Sequence, residues 1–173
     1  AAAQGMLVSL LRLQDDWQSL EKILPRLKHS SLLPEAELET AWCDLQCHRL
    51  EEESDHDGSN ASHIWSDLSR KDKKNPLMIG AYCRRLMNVG NMVEAEKLLR
   101  KSIGKQWSED LVQLYGLIRT EHPFEQIEVA ETWAKRHAQN SHVLITLARL
   151  YLHAGNRDRS KSLLVEAARY GGG

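Results

Sequence analysis

Two cysteines and a histidine form the densest group of soft-metal ligands in the sequence: Cys43, Cys47 and His48. Residues four apart share one face of a helix, so both thiols would lie on the same side. With His56 and His63 further along the chain, a tetrahedral Cys2His2 zinc site is conceivable. Against it, Cys43 adjoins a tryptophan of the predicted core, and both histidines belong to an acidic loop region. We interpret both cysteines as small packing residues and predict no metal site.

Oxygen ligands are concentrated in the acidic stretch 51–62, where Asp55-His56-Asp57-Gly58-Ser59-Asn60 is similar to a calcium-binding loop. The Gly is misplaced for that motif, and the closing Glu is missing. The stretch is acidic and turn-prone, which is typical of a solvated loop. We therefore predict a loop between two helices and no bound cation.

Motifs for covalent, phosphate-binding or zinc-dependent catalysis do not occur: the sequence has no G-x-S-x-G, no P-loop, no H-E-x-x-H and no C-x-x-C. Nothing supplies a nucleophile beside an oriented base, so we predict that the chain is not an enzyme. The eight histidines raise a haem hypothesis, but no C-x-x-C-H and no Cys-Pro pair is present. We interpret His137, His142 and His153 as surface or capping residues.

Charge and composition exclude several classes of partner. The formal net charge of the 173 residues is −1, which gives no global attraction for nucleic acid or for an acidic membrane surface. Three cysteines without framework spacing indicate reduced thiols. The longest strongly apolar run, Met6 to Leu11, is far too short to span a bilayer. We predict a soluble segment without direct membrane contact and without nucleic-acid binding.

Apolar residues recur at three- and four-residue steps along almost the whole chain, which predicts an all-α protein of about ten short helices. Turns of two to five residues favour antiparallel neighbours. We divide the chain into an N-terminal region, 4–70, with the acidic loop 51–62, and three later hairpins. These hairpins cover residues 75–106, 107–139 and 140–170.

The later hairpins share a repeated pattern. In 86–99 and in 151–164, a Gly-Asn pair (Gly90, Gly155) is followed five residues after the Gly by a small residue (Ala95, Ser160) and then by Leu-Leu. The Gly closes the turn, and the small residue lets two helices approach. With Ala130 at the equivalent place, the pattern resembles the tetratricopeptide (TPR) repeat. That resemblance implies a right-handed α-solenoid of antiparallel helical hairpins.

Two parts of the chain depart from this pattern. The middle hairpin has Pro123-Phe124-Glu125 where the turn Gly is expected, and Asp15-Asp16-Trp17 occupies the corresponding place near the N-terminus.

Three arginines occupy equivalent positions of the hairpins when these are aligned on their small residues: Arg84, Arg119 and Arg149. In TPR proteins the first helix of each hairpin lines a concave groove, so this column would suit carboxylates of an acidic peptide or of porphyrin propionates. The flanking candidates are Arg12, Asn88, Tyr115 and His153. The alternative is three solvated arginines on exposed helix faces.

A second, more extended resemblance covers most of the chain. A set of short motifs falls in the order found in the C-terminal region of the HemY family of bacterial TPR proteins: Trp65 to Leu68, Asn75-Pro76, Ala95-Glu96, Trp107, Leu111-Val112, Leu114-Tyr115-Gly116, Ala130-Glu131, Trp133 and Leu144 to Leu150. The resemblance implies a cytoplasm-facing segment of a protein that two helices anchor in the inner membrane. It also implies an association with haem or porphyrin biosynthesis.

The function predicted from these observations is a non-catalytic scaffold that binds a protein or peptide in its groove. The alternative is a protein that binds or carries a tetrapyrrole, with haem or porphyrin as ligand. We expect no other cofactor.

Overall fold

A computed structural model describes residues 2–30, 32–52 and 54–171 and has the helical structure that the periodicity of the sequence predicts. Within these ranges the chain is all-α, with ten α-helices and one short 3-10 helix, Asp72–Lys74. The α-helices are α1 (Ala2–Leu13), α2 (Trp17–Ser30), α3 (Glu35–Glu51), α4 (Ser59–Asp67), α5 (Pro76–Asn88), α6 (Met92–Lys105), α7 (Glu109–Tyr115), α8 (Pro123–Arg136), α9 (Ser141–His153) and α10 (Arg157–Tyr170).

The chain divides into two units, residues 1–85 and 86–173, and the boundary lies inside α5. In the first unit, α1 packs against α2 and α3, and α3 packs against α2 and α4. Its core is leucine-rich. Eight buried residues form one cluster between α1, α2 and α3: Val8, Leu11, Leu20, Leu24, Leu27, Leu33, Ala41 and Leu45.

In the second unit, α9 is the central helix, because α7, α8 and α10 all pack against it. Helix α6 packs against α7. The fully buried side chains include aliphatic residues from these helices and one tyrosine: Leu99, Val112, Tyr115, Ile118, Leu150 and Leu163. The predicted small residues of the repeat are buried as well: Ala95 and Ala130 are 0% exposed and Ser160 is 4% exposed.

The turns after α1, α5 and α9 have the same backbone geometry. Gly90 and Gly155 have φ angles of 82° and 83°, and Asp15 has a φ of 53° at the corresponding place. In each turn this left-handed residue donates to the carbonyl three residues back, and the next residue donates to the carbonyl five residues back. The predicted turn glycines are confirmed, and Asp15 closes a turn of the same kind.

A polar residue follows each of these left-handed residues and caps the next helix. The side chains of Asp16, Asn91 and Asn156 each accept a hydrogen bond from the backbone N–H three residues ahead, at 3.1, 3.4 and 3.0 Å. Such caps satisfy one of the N–H groups that a helix start leaves without an intrahelical partner.

Several predicted boundaries and faces need correction. The acidic loop is shorter than 51–62, because α3 continues to Glu51 and α4 begins at Ser59; Glu53 lies outside the described residues. Helix α7 ends at Tyr115, so Arg119 lies in the segment that follows it and is not on a helix.

Some large side chains that periodicity assigns to the core are on the surface. Trp42 is 38% exposed, Val93 58% and Leu164 48%, while on α1 the side chains of Leu7 and Leu10 are 43% and 49% exposed. Helix α1 buries Val8 and Leu11 instead. Among the described residues no helix combines the length and the apolar character that crossing a membrane requires.

Candidate functional site

Three polar residues form a stripe along one face of α9: His142, Arg149 and His153. We call these three residues the α9 stripe. Their spacings of seven and four residues bring them to the same side of a helix. Each contacts α7 or the segment after it, so the stripe runs along the α7–α9 junction.

The contacts of the stripe are specific. Nδ1 of His142 lies 2.6 Å from Nε2 of Gln113, and Nη1 of Arg149 lies 3.4 Å from the carbonyl oxygen of Gln113. Nε2 of His153 hydrogen-bonds the carbonyl oxygen of Thr120 at 3.2 Å. Arg149 and His153 therefore donate to backbone carbonyls, whereas Nδ1 of His142 accepts from the side-chain amide of Gln113.

The position of α9 is fixed by further contacts with α7 and the segment after it. Asn140 caps α9 by accepting from the N–H of Val143 at 3.2 Å, and it donates to Glu109 at 2.6 Å. Thr146 donates its hydroxyl to the carbonyl oxygen of Val112 at 2.8 Å in a buried position. A Cβ added at Gly116 would lie 3.0 Å from Cα of Thr146, so only glycine permits this approach of the two backbones. These contacts hold the stripe in register with α7.

The two arginines of the predicted column that lie in this unit, Arg119 and Arg149, carry charge that no described carboxylate neutralises. Arg119 is exposed and donates to the carbonyl oxygens of Gly116 and Ile118, at 3.0 and 3.2 Å. Arg149 is half-buried, and its hydrogen bond within the described part of the chain goes to the carbonyl oxygen of Gln113. A guanidinium has five N–H donors, so both side chains retain donors for a ligand. The arrangement suits binding of carboxylates or other anions.

Arg84, the third member of the predicted column, has a different environment. It lies in the other unit and binds Glu51 through Nε at 2.6 Å and Nη2 at 2.5 Å. This two-pronged contact neutralises its charge. Arg12 is likewise paired, with Asp44 at 2.7 Å from its Nε. Asn88 is exposed at the end of α5.

Tyr115 is not a surface residue, and its prediction as a ligand-binding candidate is wrong. The side chain is 0% exposed, and its hydroxyl donates to Oε1 of Glu96 at 2.7 Å. Burial, followed by the bond to Glu96, raises the pKa of the Tyr115 hydroxyl. The ring packs edge-on against Trp133 with centroids 4.8 Å apart. Tyr115 therefore joins α6 to α7 and α8 in the core.

The cysteine pair holds two parts of the first unit together. The sulfurs of Cys43 and Cys47 lie 4.0 Å apart, and Asn75 donates to Cys43 at 3.3 Å. The bond between the thiols lowers the pKa of Cys43 and, with burial, raises that of Cys47. His48 stacks on Trp17 at 4.8 Å. In the described part of the chain, no three side chains of the ligating types are placed to hold a metal ion.

The acidic loop has a structural contact that the sequence did not indicate. Arg85, which is 4% exposed, binds the backbone carbonyl of Asp55 and its Oδ1, the latter at 2.8 Å. Asp55 also accepts from the N–H of Asn60 and from the hydroxyl of Ser59. The bond from Asn60, followed by that from Arg85, lowers the pKa of Asp55 to about 2. The carboxylate that looked like a solvated calcium ligand instead fixes the loop to α5.

Sequence reasoning also missed His142 and Gln113 as parts of the site. The signal available for His142 was its spacing of seven residues from Arg149 and eleven from His153. Gln113 had no signal, because its role depends on how α7 lies against α9. As for known proteins, no family model, no curated protein and no solved structure matches the chain.

Proposed function

We propose that the chain is a non-catalytic scaffold that binds a protein partner through its helical hairpins. The observation that carries this proposal is the pair of guanidinium groups at the α7–α9 junction, Arg119 and Arg149. Neither forms an ion pair with a carboxylate among the residues described, although both lie beside polar groups that orient them. Two cations held near a helix junction suit an acidic segment of a partner.

The hairpin turns support a repeat architecture for this scaffold. The turns at Asp15, Gly90 and Gly155 share their hydrogen bonds and their caps. A single hairpin cannot bury both of its faces. Neighbouring hairpins therefore stack on one another and leave a continuous surface for binding. On this basis we propose a right-handed α-solenoid of TPR-like hairpins.

The resemblance to the HemY family extends the proposal to a biological setting. It rests on the ordered motifs from Trp65 to Leu150. The chain would then be the cytoplasm-facing part of a protein anchored in the bacterial inner membrane. Its partners would be enzymes of haem or porphyrin biosynthesis, which the scaffold would hold near the membrane.

Quantitative capture from an extract of the source cells tests the proposal. The immobilised chain is compared with the double variant Arg119→Ala/Arg149→Ala. The matched control is Arg26→Ala/Arg70→Ala, which removes two exposed arginines of the first unit. We expect the first variant to lose specific partners that the control retains. Equal capture by all three proteins, or equal loss in both variants, would contradict the proposal.

Binding of a tetrapyrrole is the second candidate function, because the α9 stripe combines a histidine with a nearby guanidinium. His153 and Arg149 are four residues apart, so an imidazole for the iron and a cation for a propionate lie on one face. Titration with haemin tests this function. We expect a Soret shift at micromolar haemin that His153→Ala reduces and that His29→Ala, an exposed histidine of the first unit, leaves unchanged. An absent shift in the unmodified chain would exclude it.

A further inference from the structure

Helix α1 presents an apolar surface that no described residue covers. Met6, Leu10 and Leu13 follow one another at four- and three-residue steps and are 73%, 49% and 83% exposed. Leu7, 43% exposed, widens the surface. We call these four residues the α1 face. Scattered apolar side chains are normal on a protein surface, but a contiguous helical stripe indicates an interaction site.

Because three turns share their geometry, the residues of the α1 face can be aligned with residues of α5 and α9, which end in the same turn. Aligning Asp15 with Gly155 places Met6, Leu7 and Leu10 opposite three residues of α9. These are Thr146, Leu147 and Leu150, which are 0%, 3% and 0% exposed. Helix α9 buries them while packing against α7 and α8, the preceding hairpin.

Helix α5 gives the same result. With Gly90 as the reference, the corresponding residues are Ala81, Tyr82 and Arg85, which are 0%, 7% and 4% exposed. The positions of Met6, Leu7 and Leu10 in the α1 face are therefore buried in both other helices that end in this turn, and the position of Leu13 is exposed in both, at His153 and Asn88. In α9 they are covered by a helical hairpin, so a helical hairpin is the shape that the α1 face accepts.

Helix α10 also exposes apolar side chains that no described residue covers. By the same alignment, Leu164 corresponds to Leu24 of α2 and Leu99 of α6, which are 4% and 0% exposed. Leu164 itself is 48% exposed, and the adjacent Val165 is 54% exposed. We call Leu164 and Val165 the α10 face. The hairpin α9–α10 thus exposes a leucine at the position where α2 and α6 bury one.

Charge near the two faces is complementary. Helix α10 carries four cations and two anions: Arg157, Arg159, Lys161, Arg169, Asp158 and Glu166. The α1 face is bordered by acidic groups. A side chain at Gly5 would come within 3.3 Å of the Glu37 carboxylate, and Asp15 and Asp16 follow the end of α1. A depression of about 390 Å³ at Leu13 and Trp17 adjoins the face and offers room for a side chain.

We propose that the α1 face binds the α9–α10 hairpin of a second copy of this chain, through the α10 face, in a head-to-tail contact. Such a contact is heterologous: two different surfaces meet, and the resulting dimer still has one free α1 face and one free α10 face. Association therefore continues beyond a dimer as concentration rises. The basic α10 and the acidic border of α1 fix the direction of the contact.

Sedimentation equilibrium over 5–500 µM, on the unmodified chain and on two charge variants, tests the proposal. Leu10→Glu alters the α1 face and Leu164→Glu alters the α10 face. Because both side chains are about half exposed, neither change disturbs the core of its own copy. We expect the mass of the unmodified chain to rise past that of a dimer. Each variant alone should weaken association at least about tenfold, because a carboxylate would be buried without a partner. Leu77→Glu, at a residue that is 58% exposed on α5, is the matched control and should associate like the unmodified chain.

Mixing the two variants distinguishes this contact from a symmetric one. A Leu10→Glu copy retains an intact α10 face, and a Leu164→Glu copy retains an intact α1 face. The mixture should therefore form one-to-one dimers that do not grow further. A monomeric unmodified chain at 500 µM, a mixture that stays monomeric, or loss of association in Leu10→Glu alone would overturn the proposal, and so would an equal loss in Leu77→Glu.

Discussion

The two units build the same hairpin turn from different residues and hold their helices with different contacts. The second unit uses Gly90-Asn91 and Gly155-Asn156, whereas the first uses Asp15-Asp16 with the same backbone hydrogen bonds. The hydrogen-bond pattern therefore defines the hairpin, and the residue types can change as long as one residue accepts a left-handed conformation and the next caps a helix.

Contacts between helices differ more than the turns do. The second unit relies on close backbone approach at Gly116 and on the neutral bond from Thr146 to Val112. The first unit uses charged pairs, of which the Arg85–Asp55 pair is the most buried, with side chains 5% and 20% exposed. Added side-chain volume destabilises a closely packed neutral contact, whereas loss of one charge destabilises a buried ion pair. Four sets of substitutions test this difference between the two units.

Removing Arg85 should have the largest effect. Arg85→Ala leaves the Asp55 carboxylate without its cation and opens a cavity beside α5, so the free energy of unfolding should fall by about 3–5 kcal/mol. Urea unfolding followed by circular dichroism measures it. Arg84→Ala is the control, because the Arg84–Glu51 pair is about half exposed and should contribute at most about 1 kcal/mol. Similar losses in both variants would show that burial of the pair does not matter.

Adding a methyl group at Gly116 should be the next largest effect. Gly116→Ala forces Cβ against the Thr146 backbone and should cost about 1–3 kcal/mol. Gly104→Ala is the matched control in α6. Its added Cβ meets nothing within 4 Å, so it should stabilise the protein by about 0.5–1 kcal/mol. Thermal unfolding of the two variants should shift in opposite directions, and a shift in the same direction would argue against the close approach.

Exchanging the turn residues should have a smaller effect and tests the equivalence of the turns directly. Asp15→Gly relieves a left-handed non-glycine residue, and Gly90→Asp introduces one. We expect changes of opposite sign and of about 1 kcal/mol each in the free energy of unfolding. Unfolding in urea measures both. If Asp15→Gly destabilises the chain, the Asp15 side chain has a role that the shared geometry does not include.

Protonation of Asp55 should weaken its ion pair with Arg85, and the sign of this effect follows from the lowered pKa. The folded pKa is about 2, below the unfolded value of about 3.9. The stability contributed by this carboxylate is therefore fully present above about pH 4 and is lost as the pH falls through about 2. Asp55→Asn keeps an acceptor oxygen but lacks the charge. Its stability deficit at pH 7 should shrink between pH 4 and pH 2, and a deficit independent of pH would contradict the assignment.

Sequence patterns predicted the features that depend on local chemistry. The turn glycines and the buried small residues Ala95, Ala130 and Ser160 follow from conformational freedom and close helix approach, which act within a few residues. The all-α fold follows from the period of the apolar residues.

Features that depend on tertiary contacts were not predictable in the same way. Arg85 and Asp55 are 30 residues apart, and nothing in either stretch marks them as a pair. Tyr115 looked like a surface candidate because a tyrosine suits either environment, and only Glu96 on α6 explains its burial. Arg119 aligns with Arg84 and Arg149 in the sequence, but α7 ends at Tyr115, four residues before it.

The proposed function rests on the uncompensated charge of Arg119 and Arg149, and binding of a defined acidic probe tests it most directly. Fluorescence anisotropy with labelled hexaglutamate should show binding to the unmodified chain that weakens as salt is added. Arg119→Ala/Arg149→Ala should weaken binding about tenfold, from two ion pairs of about 0.7 kcal/mol each. Arg26→Ala/Arg70→Ala should bind as tightly as the unmodified chain. Equal affinity in all three proteins, or an equal loss in both variants, would contradict the account.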